Sequence, residues 1–202
     1  MLVGRRVLRS LKDQTADLHE EIERYVRILD GDATLDDYRR YLATMAGFHV
    51  PLEAAFAGNR DLAALGFDAA SRRKSHLLAR DLSALGAPAW ALCSALPEAT
   101  SVAHAIGIAY VIEGSTLGGR YVLSRLPPAI ETVRATATAF LAGYGDATGD
   151  RWRAFGEVVE RGVVTAEHER EAVAGARDCF SCMIDWVAAH EFRAATPARV
   201  PA

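Results

Sequence analysis

Apolar residues recur at three- and four-residue intervals along most of this chain, and the strict alternation that marks half-buried strands is scarce. The first stripe runs Val7, Leu8, Leu11, Thr15, Leu18, Ile22, Val26 and Leu29, and stops at Asp30-Gly31-Asp32. Thr34 then reads as a helix cap, with Asp36 and Asp37 in a first turn that favours negative charge. The stripe behind it is Tyr38, Tyr41, Met45, Phe48, Leu52 and Phe56, ending near Gly58. A third helix is predicted from about Ser71 to Leu85, closed by Gly86 and Pro88. A fourth starts near Ser101 and runs through Val102, Ile106, Ala109 and Ile112 into Gly114, Gly118 and Gly119. Pro127 and Pro128 interrupt the chain, and a fifth helix covers about Glu131 to Ala142. Gly143, Gly145 and Gly149 mark a loop before a sixth helix over about Asp150 to Val159. Thr165 caps a last long helix, with Glu167 and Glu169 in its first turns, reaching to near Phe192. The pattern predicts one all-α domain of six to eight helices over residues 1–195, followed by a flexible tail, 196–202.

Composition narrows the class. The 202 residues are 50% hydrophobic and 24% charged, which is globular and large enough for a core without disulfide staples. Lys and Arg number 23 against 26 Asp and Glu, a net charge of −3, which argues against nucleic acid as the partner. No apolar run is long enough for a membrane span, and no apolar stretch follows the basic start as a secretory signal would. Three cysteines, Cys93, Cys179 and Cys182, fit a reducing cytoplasm and no disulfide framework.

The histidines at 19, 49, 76, 104, 168 and 190 form no convincing zinc pair. A di-iron bundle needs Glu-x-x-His pairs, whereas Glu20, Glu21 and Glu23 follow His19, and Glu53 follows His49 by four. Cys179-Phe180-Ser181-Cys182 has the CxxC form but lies in an apolar helical stretch, where small core residues are the plain reading.

Two places ask for more. Lys12, Thr15, His19 and Glu23 stand at i, i+3, i+7 and i+11, on one helix face. A histidine at the edge of an apolar stripe is by default a satisfied core residue. Its functional reading is an axial ligand to a haem iron, with Glu23 orienting the other ring nitrogen and Lys12 meeting a carboxylate of the same ligand. The second place is Glu113-Gly114-Ser115-Thr116-Leu117-Gly118-Gly119-Arg120. Three glycines in six residues can simply end a helix. They can also let a flat ligand, or a gas bound to it, lie against the main chain.

The segment from Leu11 through Lys12, Thr15 and His19 to Glu23 resembles the proximal helix of haem oxygenases. Tyr110 through Glu113, Gly114, Ser115 and Gly118 to Gly119 resembles their glycine-rich distal helix in its bacterial form. Phe140-Leu141-Ala142-Gly143-Tyr144-Gly145, followed by Trp152 and Phe155, is also similar to bacterial members, above all those that accompany bacteriophytochromes. The resemblance implies an all-α haem oxygenase-like bundle with haem between a proximal and a distal helix. It implies a haem-degrading monooxygenase that uses O2 and an external electron donor, a ferredoxin or reductase (ascorbate in vitro). The products would be biliverdin, ferrous iron and carbon monoxide, with a bacteriophytochrome as one receiver of biliverdin.

By the same resemblance His19 would ligate iron, Glu23 would pair with its ring, and Thr15 would lie on the cofactor face. Gly114, Ser115, Gly118 and Gly119 would line the distal side, and Lys12, Arg153 and Arg177 would be the cations for the haem propionates. Ser115 stands where animal members carry an aspartate. Two other readings stay open on residues alone: a non-catalytic haem- or bilin-binding protein of this fold, and a thiaminase-like enzyme on the related helical fold.

Overall fold

A computed structural model describes residues 2–87 and 90–190, with side chains from Arg6 onward. The predicted tail and the end of the last predicted helix, Phe192 included, lie outside the described residues. Ten α-helices are present among them: α1 (Leu2–Gln14), α2 (Ala16–Glu23), α3 (Leu35–Ala57), α4 (Arg60–Ala64), α5 (Ser75–Ala84), α6 (Val102–Leu123), α7 (Pro128–Glu131), α8 (Ala139–Ala142), α9 (Thr148–Gly162) and α10 (Ala166–Ala189). Short 3-10 turns cover Arg27–Leu29, Ala70–Arg72 and Gly145–Ala147. No strand occurs among the described residues. None of their helices is long and apolar enough to cross a membrane.

Local chemistry explains the best-defined starts. The Thr34 side chain accepts from the Asp37 amide at 3.2 Å, and Asp37 accepts from the Thr34 amide at 2.8 Å, a reciprocal capping box. Ser101 caps α6 through the His104 amide and Thr165 caps α10 through the His168 amide, each at 3.1 Å. Other starts are capped from a distance. Glu53 of α3 accepts the amides of Lys74 and Ser75 at 2.7 and 3.1 Å and so begins α5. Asp81 of α5 accepts the amides of Ala139 and Phe140 at 3.0 and 2.8 Å and so begins α8. That remote cap is why the predicted fifth helix is two short ones, with a turn between them.

Three further boundaries differ from the sequence reading. The first predicted helix breaks at Thr15 and ends at Glu23. The third starts at Ser75, because Ala70–Arg72 forms a separate turn. The fourth does not stop at its glycines but continues to Leu123. Tertiary packing outweighs the helix propensity lost there: Thr116 and Val122 are buried, and Gly119 rests on the backbone of α8.

The centre of the fold is the crossing of α6 and α10. Glycine makes it close. A Cβ on Gly107 would stand 1.9 Å from the Ala172 carbonyl oxygen, and one on Gly175 would stand 2.1 Å from that of His104. Around this pair, α1 packs on α9 and α10, α2 on α10, α3 on α5, and α8 on α6 and α5.

Candidate functional site

Both glycine-rich α6 and His19-bearing α2 pack on α10. Thr15, at the α1–α2 break, stands one turn before His19, and Tyr110 stands one turn before Gly114 on α6.

His19 is 60% exposed at its side chain. Its Nδ1 lies 3.3 Å from Glu23 Oε1, one turn on, and the ring meets Phe180 of α10 edge-on with centroids 5.9 Å apart. Nε2 bonds to no described residue. A carboxylate beside Nδ1 orients the ring and leaves Nε2 open to a ligand.

On α6, nothing lies within 4 Å of where a Cβ would stand on Gly114 or Gly118. Leu117 and Tyr121 are 42% and 56% exposed, large apolar side chains left in the open. Positions 114, 117, 118 and 121 share one face of α6. That face is apolar, lacks two side chains and is uncovered, which suits a flat apolar ligand. Arg125 stacks its guanidinium on the Tyr121 ring at 3.9 Å. Ser115 turns its hydroxyl back to the Ile112 carbonyl at 2.7 Å. Gly119 is different from its neighbours: its absent Cβ would stand 3.1 Å from the Leu141 carbonyl oxygen, so it serves packing on α8.

The other named residues are placed as follows. Lys12 is exposed on α1. Thr15 is buried and its hydroxyl donates to the Leu11 carbonyl at 2.8 Å. Arg153 is exposed and pairs with Asp150 on its own helix at 2.9 Å. Arg177 binds Asp17 and the Gln14 carbonyl.

Behind the glycine face lies a buried polar cluster that the sequence reading missed. Glu113 accepts from Arg72, from Lys74 Nζ at 3.4 Å and from the Tyr144 hydroxyl at 2.8 Å. All three of Arg72, Lys74 and Glu113 are buried. Burial pushes the Lys74 ammonium down, while Glu113 opposes that shift. Burial would raise the Glu53 carboxyl, but the neighbouring His49 ring and the Lys74 and Ser75 amides outweigh it and hold it at about 2. Burial pushes His49 down, and neither ring nitrogen has a hydrogen-bond partner. A cavity of about 30 Å³, large enough for a water, is lined by His49, Glu53, Arg72 and Glu113 among others. The one sequence signal for this cluster was Glu113 itself, a single carboxylate in an apolar helical run. Arg72 and Lys74 sit in a basic stretch that reads as solvated surface.

The cysteines are free; Cys93 and Cys179 are buried, and burial pushes the Cys179 thiol up and the half-buried Cys182 thiol up to about 11. Such thiols are poor nucleophiles, which removes the footing for a thiaminase-like reading.

The family model for Heme oxygenase matches residues 5–189. Heme oxygenase PigA of Pseudomonas aeruginosa is 30% identical over 168 residues, 83% of this chain and 84% of that protein. A heme oxygenase of Xanthomonas campestris pv. campestris is 31% identical over 153 residues, 76% of this chain and 87% of that one. Among solved structures, the NO- and CO-bound heme oxygenase of Neisseria meningitidis superposes with a TM-score of 0.76, covering 96% of both chains at 24% identity. That last likeness supports the fold. The chain therefore belongs to the haem oxygenase family, whose members are monooxygenases that degrade haem to biliverdin.

Proposed function

We propose that this chain holds haem between α2 and the open face of α6, with His19 as the axial iron ligand, and opens it to biliverdin, ferrous iron and carbon monoxide. The observation that carries the reading is the uncovered apolar face of Gly114, Leu117, Gly118 and Tyr121 on α6, with an exposed His19, its Nδ1 3.3 Å from Glu23, on a second helix that also packs on α10. Haem is substrate and cofactor together and supplies the iron that reacts with O2; the protein supplies binding, orientation and electrostatics.

Each residue then has a bounded task. Glu23, its carboxylate 3.3 Å from Nδ1, fixes the ring direction of His19. Gly114 and Gly118 let the ligand and O2 approach the main chain where side chains would clash. Ser115 spends its hydroxyl on Ile112, which leaves bound water to deliver protons on the distal side. Lys12 is free to bind a propionate, whereas Arg153 must first leave Asp150. Electrons come from a separate ferredoxin or reductase, with ascorbate as a substitute in vitro. A cytoplasmic setting suits the free thiols, and a bacteriophytochrome is a fitting receiver of the biliverdin.

The test is aerobic turnover of the hemin-loaded protein with ascorbate or a ferredoxin system. The proposal expects the Soret band to decay into the broad red absorption of biliverdin with release of carbon monoxide. A stable Soret band with no bilin would instead make the chain a haem carrier.

A further inference from the structure

The turn that carries His19 is not continuous with the helix before it. α1 ends at Gln14, leaving terminal carbonyls without helical partners, and α2 begins at Ala16. Thr15 between them has φ −120° and ψ 8°. Arg177 of α10 spans this break. Its Nη1 donates to the Gln14 carbonyl at 2.7 Å and to Asp17 Oδ1 at 2.9 Å, and its Nη2 donates to Asp17 Oδ2 at 2.9 Å.

One guanidinium thus ties the last carbonyl of α1 to the first turn of α2. The fork geometry that allows this belongs to arginine and not to lysine. Three residues further along α10, Phe180 sets its ring edge-on to the His19 imidazole. Adjacent turns of α10 therefore grip Asp17 and His19, two positions apart on α2.

We propose that Arg177 and Asp17 form a clamp that fixes the angle between α1 and α2, and with it the direction in which His19 presents Nε2. Arg177 is then a positioning residue for the iron ligand and not a cation for a propionate. The inference rests on the reading of His19 as that ligand. Exposed ion pairs contribute little to stability, so the clamp acts on the orientation of the ring and hardly on the melting temperature.

The experiment compares Arg177→Ala, Arg177→Lys, Asp17→Asn and the Asp17→Asn/Arg177→Ala pair with the wild type and His19→Ala. Three quantities are read: affinity for hemin and for hemin dimethyl ester, the iron–imidazole stretching band of the reduced complex by resonance Raman, and amide hydrogen exchange over Ala16–Glu23 without haem. The clamp expects Arg177→Ala and Asp17→Asn each to weaken hemin by about tenfold and to broaden or shift the band. The ester should show the same loss, the double variant should be no worse than either single one, and lysine should restore little. Exchange over α2 should rise in both single variants while far-UV helicity stays constant.

A propionate cation predicts the opposite sign at Asp17. Asp17→Asn would free Arg177 and leave hemin binding equal or tighter, while Arg177→Ala would spare the ester. That result overturns the clamp, as does wild-type behaviour of both single variants in all three readouts. A band that His19→Ala leaves unchanged overturns the ligand reading instead. Exchange over α2 then still separates a clamp on the helix from no clamp at all.

Discussion

Two stretches of α6 use glycine for opposite ends. In its first half, Gly107 is pressed against the Ala172 carbonyl of α10, and the missing side chain is filled by another helix. In its second half, Gly114 and Gly118 open onto nothing. Each glycine costs a helix about 1 kcal/mol relative to alanine. At Gly107 helix packing offsets that cost within the folded chain. At Gly114 and Gly118 no contact among the described residues does, which fits the ligand face proposed there. Sites that look alike in sequence are thus separated by what stands opposite them.

The sharpest way to break this comparison is Gly107→Ala. A methyl group 1.9 Å from a backbone oxygen forces the helices apart, and a loss of about 3 kcal/mol is expected in chemical denaturation. A stability near wild type would show that the crossing is not tight. Gly118→Leu should do the reverse. Its side chain enters open space, so melting should hardly move, while hemin affinity and bilin formation fall by about tenfold or more. Full activity in that variant would make the open glycines incidental.

Glu53 of α3, at the cavity it shares with Glu113, gives a pH test. The Glu53 carboxyl is held at about 2 in the fold, against an ordinary value of 4.5. Its depressed value contributes stability that is complete above the ordinary value and is lost as pH falls through the folded one. Glu53→Gln should therefore flatten the decline in stability across that acid window. A decline as steep as wild type would assign acid unfolding to other carboxylates. The smallest effect is expected at Gly114→Ala. The methyl meets no neighbour, so the haem-free protein should gain at most about 1 kcal/mol of stability. Loss of stability would mean that the face is covered.

Much of the fold was legible because its signals are local. The Thr34 cap and the end near Gly58 bound α3 as observed, and Ser101 and Thr165 start α6 and α10. What sequence could not carry is decided by residues far away. The break at Thr15 is bridged by Arg177, which stands 160 positions beyond Asp17. The split of the fifth predicted helix follows from Asp81, on another element. Gly107 and Gly175 drew no notice because a lone glycine in a helical run does not announce the backbone opposite it. At the site, the His19–Glu23 spacing and the cluster of glycines were readable as helical periodicity. The division of those glycines into open and packed ones was not, since Gly119 differs from Gly118 only in facing Leu141.

The central claim is that His19 binds iron opposite the open glycine face. Its most direct test is a hemin titration of the wild type and His19→Ala, followed by visible absorption, with far-UV circular dichroism as the control. The account predicts a one-to-one Soret complex in the wild type, and a weakened or displaced Soret band with no bilin formation in the variant at unchanged helicity. The same Soret spectrum and turnover in both proteins would contradict it.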